Sequence, residues 1–173
     1  VDLFGYFQTE KYFSDVREDI LKDFTFKESI LSEAKEFIKT LDSDEVISLH
    51  FRRGDYVNLP CDGFCPLSYY EEAISMLNDD LPIIIFTDDP KWAFEQNLFE
   101  SDRFVVSDNN TNLFDMCLMS LCNYHIIANS SFSWWGAWLS DSKKVIAPKR
   151  WFGPPLSEQN NTKDLVPDRW IKI

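Results

Sequence analysis

His50-Phe51-Arg52-Arg53-Gly54-Asp55 sets two adjacent arginines between a histidine and an aspartate, directly after the strand-like run Val46-Ile47-Ser48-Leu49. A guanidinium carries a permanent charge and a planar fork of donors that fits phosphate oxygens. The end of a strand is where an open α/β sheet presents ligand-binding groups. The pair therefore reads as a clamp for a diphosphate; the alternative is a surface pair held in salt bridges by Asp55 and its neighbours. A second polar strand end is Thr87-Asp88-Asp89-Pro90. Its carboxylates could ligate a metal, act as a base or cap a helix, and Asp89 just before Pro90 has the pattern of a cap. A third is Asn129-Ser130-Ser131-Phe132-Ser133, a strand-to-helix turn rich in hydroxyls. Helix N-termini expose unpaired N–H groups and partial positive charge, which suits phosphate, although Ser131 or Ser133 could equally be an ordinary cap. Asp115 stands in the apolar stretch Leu113-Phe114-Asp115-Met116-Cys117-Leu118. If buried it needs a donor partner, such as the N–H edge of a guanine; otherwise it marks an exposed helix face.

The elements that must position these groups follow from the hydrophobic pattern. Thr25-Phe26-Lys27-Glu28 has the form of a capping box, and Ile30, Ala34, Phe37, Ile38 and Leu41 follow at helical spacing. A strand is expected over 46–51, and a second capped helix from Ser68-Tyr69-Tyr70-Glu71 to about Leu77. Pro82-Ile83-Ile84-Ile85-Phe86 is the continuous apolar run of a strand buried on both faces. A helix begins at Pro90, a short strand covers 104–106, a helix covers 112–122, and a buried strand covers 124–128. The helix after Asn129 carries Trp134, Trp135 and Trp138 as a core stripe beside Gly136 and Ala137, and 145–147 forms a last strand. Strands alternating with helices predict an α/β fold: a Rossmann-like parallel sheet with helices on both faces. Its carboxyl edge would bring the three polar strand ends into one crevice. Residues 1–24, aromatic and charged without a clear period, read as a connector, and residues 25–173 as the domain.

Composition narrows the partners. The chain has 173 residues, 45% hydrophobic and 16% aromatic, enough for a real core. A formal net charge of −12 argues against nucleic acid, which requires a basic face. An anionic small ligand would need a local basic pocket, which Arg52 and Arg53 could supply and Lys149-Arg150 could extend. No apolar run is long enough to span a bilayer, and no signal-peptide pattern opens the chain. Four cysteines and two histidines, His50 and His125, show no zinc spacing. A Cys61–Cys65 disulfide is conceivable, but thiols in a reducing compartment are the favoured reading.

The run from His50 to Tyr56 fits the HxRRxD motif shared by α-1,2-, α-1,6- and protein O-fucosyltransferases. Leu118-Met119-Ser120-Leu121-Cys122 and the run from Ile126 through Asn129-Ser130-Ser131-Phe132-Ser133-Trp134-Trp135-Gly136-Ala137-Trp138 to Leu139 closely resemble glycosyltransferase family 11. Gly5 to Phe13 is similar to that family's region between its two halves, and Val145-Ile146-Ala147-Pro148 with Trp151-Phe152 to its C-terminal end.

The resemblance implies the connector and the GDP-fucose-binding half of a GT-B enzyme, whose other Rossmann-like half is not in this sequence. The implied activity is an inverting galactoside α-1,2-fucosyltransferase. Fucose would pass from GDP-β-L-fucose to a galactose hydroxyl of a glycan, without a metal cofactor. By the same resemblance Arg52 contacts the β-phosphate, backbone or hydroxyl groups of Ser131, Phe132 and Ser133 complete the cradle, and Asn129 and Ser130 also belong to the donor site. His50 and Asp115 hold the guanine, Arg53 and Asp55 shape the site, and Asp88 meets ribose or base. Asp55 is the candidate general base. Two alternatives stand beside this reading: another GDP-sugar transferase of GT-B type, and a non-catalytic glycan-binding module using the tryptophans as sugar platforms. The composition leans towards a bacterial, cytoplasmic protein with peripheral membrane association in its full-length form. The sequons at Asn109, Asn129 and Asn160 would matter only in a secretory pathway.

Overall fold

A computed structural model describes residues 8–54, 64–108 and 110–173. Single 3-10 turns at Glu10–Tyr12 and Ser14–Val16 lead into α1 (Arg17–Asp23) and α2 (Glu28–Lys39). The alternating part follows as β1 (Ile47–Phe51), α3 (Leu67–Ser75), β2 (Ile83–Thr87), α4 (Pro90–Phe94), β3 (Phe104–Ser107), α5 (Asn112–Ser120), β4 (Tyr124–Ile126), α6 (Ser131–Leu139) and β5 (Lys144–Ala147). The chain closes with α7 (Leu156–Gln159) and β6 (Ile171–Lys172).

The strands form one sheet in the order β3-β2-β1-β4-β5-β6, and every pairing is parallel. This is the doubly wound Rossmann order, with its topological switch point between β1 and β4. Pleat alternation divides the side chains between two layers. Ile47, Leu49, Phe51, Ile83, Ile85, Ile126 and Ile146 pack with Tyr69, Tyr70 and Ala73 of α3 and with Ala93 of α4. On the opposite face Ile84 and Phe86 pack with Ala34 of α2 and with Phe114, Cys117, Leu118 and Met119 of α5. Further along that face Ile127, Val145 and Ala147 meet Trp134, Ala137 and Trp138 of α6. Burial on both faces explains the unbroken apolar run of β2, where each fully buried isoleucine contributes about 1.5–3 kcal/mol.

The expected α/β architecture is the observed one, with three local differences. The Thr25 hydroxyl donates to the carbonyl of Lys22 at 2.6 Å and so completes α1, while α2 starts after Lys27 with no side-chain cap. Pro66, not Ser68, precedes the first residue of α3: its fixed φ launches the helix and leaves Ser68 inside the first turn. The two-residue β6 is too short to show a period and was not foreseen; parallel pairing with β5 creates it.

Residues of the expected connector lie on α6. Trp135 is stacked by Phe13 at 5.5 Å and by Phe24 at 5.4 Å, and Trp138 Nε1 donates to Glu10. Trp134 Nε1 donates to the carbonyl of Leu165. Trp134 and Trp138 are buried and Trp135 is half-buried under Phe13 and Phe24, so the stripe serves chiefly as core, which counts against the glycan-binding alternative.

Helices α5 and α6 touch where Gly136 faces Met119. A Cβ at Gly136 would lie 2.8 Å from both Cβ and Sδ of Met119. Gly136→Ala is expected to destabilise the chain by about 1–3 kcal/mol through overpacking. Urea unfolding should show this as a lower midpoint at unchanged slope.

Candidate functional site

The carboxyl ends of β1, β2 and β4 surround a cavity of about 170 Å³ lined by His50, Arg52, Phe86, Thr87, Asp88, Asn112, Asp115, Ser130 and Phe132. Complete small-molecule sites usually measure about 300–1,000 Å³, so this hollow fits one moiety of a larger ligand, such as a base.

His50 reaches it because pleat alternation turns Leu49 and Phe51 to the α3 layer and His50 to the α6 side, where its ring lies 5.7 Å from that of Phe132. It is only 5% exposed, and its Nδ1 has no hydrogen-bond partner among the described residues. Burial lowers its pKa to about 4, with Asp88 opposing and Arg52 reinforcing the shift, so the ring is neutral at pH 7. A buried polar atom without a protein partner, on the wall of a cavity, is what a ligand contact would satisfy.

The arginine pair is split by carboxylates of the next strand end. Arg52 places its Nη1 2.8 Å from Asp88 Oδ2. Asp88 Oδ1 accepts the backbone N–H groups of Arg53 at 2.9 Å and Gly54 at 3.0 Å. Gly54 is required by this approach, since a Cβ there would stand 2.5 Å from Asp88 Oδ2. Arg53 turns the other way. Its Nε donates to Asp89 at 3.1 Å and its guanidinium lies 4.5 Å from the centre of the Trp92 ring, so it does not line the cavity. Asp89 also caps α4, accepting from the N–H of Trp92.

Asp115, at the start of α5, forms the opposite wall. Burial pushes its carboxyl pKa up, and a 2.6 Å hydrogen bond from the Ser107 hydroxyl pulls it back. In the serine turn, Ser130 is the cap, accepting from the N–H of Phe132 at 3.3 Å. Ser131 opens α6 on the surface and faces a second hollow of about 270 Å³, shared with Phe13, Trp134, Trp135 and Trp151 and lacking charged groups. The N-terminus of α6, the positive end of its dipole, borders the cavity through Ser130 and Phe132.

Two residues expected at the site are turned away from it. Asn129 is buried, donates Nδ2 to the carbonyl of Trp151 and accepts from the Cys65 thiol, which ties the loop after β4 to the rest of the domain. Ser133 is buried and its hydroxyl donates back to the carbonyl of Ser130. Lys149 and Arg150 are exposed and do not line the cavity. Asp55 and Cys61 lie outside the described residues; Cys65, Cys117 and Cys122 are buried thiols. Among the described residues no His, Cys, Asp and Glu side chains gather as a metal site, and no helix is long and apolar enough to cross a membrane. Thr87 lines the cavity with its strand end as expected, Asn112 and Phe86 line it without having been expected, and Ser107 hydrogen-bonds Asp115. The strand-end rule points to Thr87 and Ser107, which end β2 and β3. Nothing in the sequence singles out Phe86 or Asn112.

A doubly wound sheet with a polar cavity at its switch point, lined by Arg52, Asp88 and Asp115, has the architecture of a Rossmann-like domain. The chain belongs to glycosyl transferase family 11, whose model matches residues 1–173. It is 38% identical over 185 residues to an alpha-1,2-colitosyltransferase of Escherichia coli, covering 100% of this chain and 62% of that protein. It is 37% identical to the O-antigen biosynthesis glycosyltransferase WbnK of Escherichia coli, covering 99% of this chain and 60% of WbnK. A galactoside alpha-(1,2)-fucosyltransferase 2 of Rattus norvegicus is 26% identical, over 82% of this chain and 44% of the relative. The chain thus spans about three fifths of the length of its two Escherichia coli relatives.

Two buried histidines give the domain a defined acid response. Burial lowers both His50 and His125 from 6.5 to about 4, and His125 keeps a bond from Nε2 to the Cys122 carbonyl. Between these values the unfolded chain binds protons that the native state refuses. Their stabilising contribution is therefore complete above about pH 6.5 and is lost as the pH falls towards 4, by roughly 3 kcal/mol for each histidine. Denaturant unfolding from pH 7 to 4 should show this decline, and His125→Gln should make it shallower.

Proposed function

We propose that this chain is the donor-binding half of an inverting galactoside α-1,2-fucosyltransferase of GT-B architecture. The enzyme would transfer fucose from GDP-β-L-fucose to a galactose hydroxyl of a glycan. The observation that carries the reading is the convergence of Arg52, the unpartnered His50 Nδ1 and the Asp115 carboxylate on one cavity at the switch point, beside the N-terminus of α6. Family membership and the α-1,2 linkage in the names of the relatives support it.

In this reading the guanine occupies the hollow between His50 and Asp115, with Phe132 against the imidazole. The diphosphate leaves the hollow towards Arg52 and the first turn of α6. Attack of the acceptor hydroxyl on the anomeric carbon breaks the bond to the diphosphate oxygen, inverts the configuration and develops negative charge on the leaving group. Arg52 and the helix N-terminus stabilise that charge as it forms, without needing a divalent ion. Asp88 keeps Arg52 at the mouth of the cavity. Asp55, two positions after Arg53 in the sequence, is the proposed base for the acceptor hydroxyl, and the acceptor surface is assigned to the rest of the enzyme. The full-length protein would work in a bacterial cytoplasm, at the membrane periphery.

A second reading of the donor follows from the 38% identical colitosyltransferase. Colitose is fucose without its 3-hydroxyl, so the same nucleotide site would serve either sugar. Calorimetric titration in EDTA with GDP-fucose, GDP-colitose, GDP-mannose and GDP tests both readings. Metal-free binding with fucose preferred supports the first, and colitose preferred supports the second. Absence of GDP binding by the folded chain overturns the assignment of a self-contained donor site. Arg52→Ala is expected to weaken GDP binding by about 10–100-fold, the loss of a charge-assisted contact.

A further inference from the structure

A carboxylate on the wall of a base-sized hollow can recognise a ligand in two opposite ways. Ionised, it only accepts hydrogen bonds; protonated, it also donates. The surroundings of Asp115 decide between them. Ser107, the last residue of β3, is 5% exposed and its hydroxyl lies 2.6 Å from Asp115 Oδ1. Asn110 Nδ2 lies 2.9 Å from the same Ser107 oxygen. An amide NH2 can only donate, so it occupies a lone pair of the serine oxygen. The single hydroxyl proton is then directed at the carboxylate, and the chain runs one way: Asn110 to Ser107 to Asp115. Asp115 Oδ2 has no hydrogen-bond partner among the described residues, and Oδ1 keeps a second lone pair. Burial raises the carboxyl pKa and is the larger effect, and the serine bond opposes it; the direction of the hydroxyl proton, set by Asn110, is what marks Oδ1 as an acceptor. The charged and titratable groups on the other walls are His50, Arg52 and Asp88.

We propose that Ser107 and Asn110 are positioning residues that set the nucleobase specificity of this site, holding Asp115 as an oriented acceptor for a purine edge that presents two adjacent donors. The inference rests on the reading of the cavity as a nucleotide site. Guanine offers N1–H and the 2-amino group side by side and satisfies such an acceptor fully. Hypoxanthine offers N1–H alone. Adenine turns an unprotonated N1 towards the carboxylate and is rejected, because two acceptors would face each other in a partly desolvated site. Neither Ser107 nor Asn110 is among the residues lining the cavity, so their effect passes through Asp115.

The test is calorimetric binding of GDP, IDP, ADP and inorganic pyrophosphate to the full chain and to its Ser107→Ala, Ser107→Thr and Asn110→Ala variants. The native chain is expected to bind GDP about tenfold more tightly than IDP, one hydrogen bond to a charged group, and ADP more weakly still. Ser107→Ala should weaken GDP about tenfold and reduce the GDP-to-IDP ratio at least about threefold, with pyrophosphate binding unchanged. Ser107→Thr should restore both values. Asn110 is on the surface, and Asn110→Ala provides the same test without disturbing a strand, with an effect between the two. Native nucleotide ratios in both Ser107→Ala and Asn110→Ala overturn the proposal, as does a parallel loss of pyrophosphate binding in both. Equal binding of ADP and GDP by the native chain overturns instead the guanine reading on which the proposal rests.

Discussion

β1 is hydrogen-bonded in parallel to β2 along one edge and to β4 along the other, and all five of its residues are buried. The rest of the domain depends on this double pairing. It sets the switch point, because the chain leaves β1 towards β2 and β3 and then crosses back to β4. It brings the ends of β1, β2 and β4 to one edge, so three segments far apart in sequence meet around a single hollow. The helices on both faces keep water from the central strands, whose backbone groups pair with neighbours on either side.

On that edge the cavity combines one guanidinium, Arg52, with the carboxylates of Asp88 and Asp115. With a formal charge of −12 the chain as a whole repels phosphate, and attraction must be local. Asp88 arranges it. One oxygen collects two backbone N–H groups of the loop after β1, and the other pairs with Arg52, so the loop and its guanidinium are held by the strand beside them. Asp89 does the same for Arg53 in the opposite direction, against Trp92. Adjacent arginines thus have separate duties: one faces the cavity, and the other anchors the loop to α4.

Much of this was legible in advance. The β2 run Ile83–Phe86 could only be a strand covered on both faces, and Asp89-Pro90 does begin a helix with the aspartate as cap. The strand-end groups His50, Arg52, Asp88 and Ser130 do meet, together with Asp115. The apparent capping boxes at Thr25 and Ser68 misled because local pattern competes with what precedes it: Thr25 serves the end of α1, and Pro66 starts α3 early. Asn129 and Ser133 have the right chemistry for a phosphate cradle and sit in the right turn, yet both side chains are buried and hydrogen-bonded within the domain.

The sequence by itself determined the periods of its strands and helices, their alternation, and the polar types at the strand ends. Those are properties of residues close together in the chain. Only the tertiary structure decided which of those polar groups face the hollow. Arg52 and Arg53 are neighbours, yet the first lines the cavity and the second does not, because each is claimed by a carboxylate about 35 positions away. Ser107 and Asp115 likewise form a pair only because β3 ends where α5 begins to cover the sheet. A hydrogen bond has a direction as well as a partner, and direction is set by how packed elements aim their side chains, which no local pattern contains.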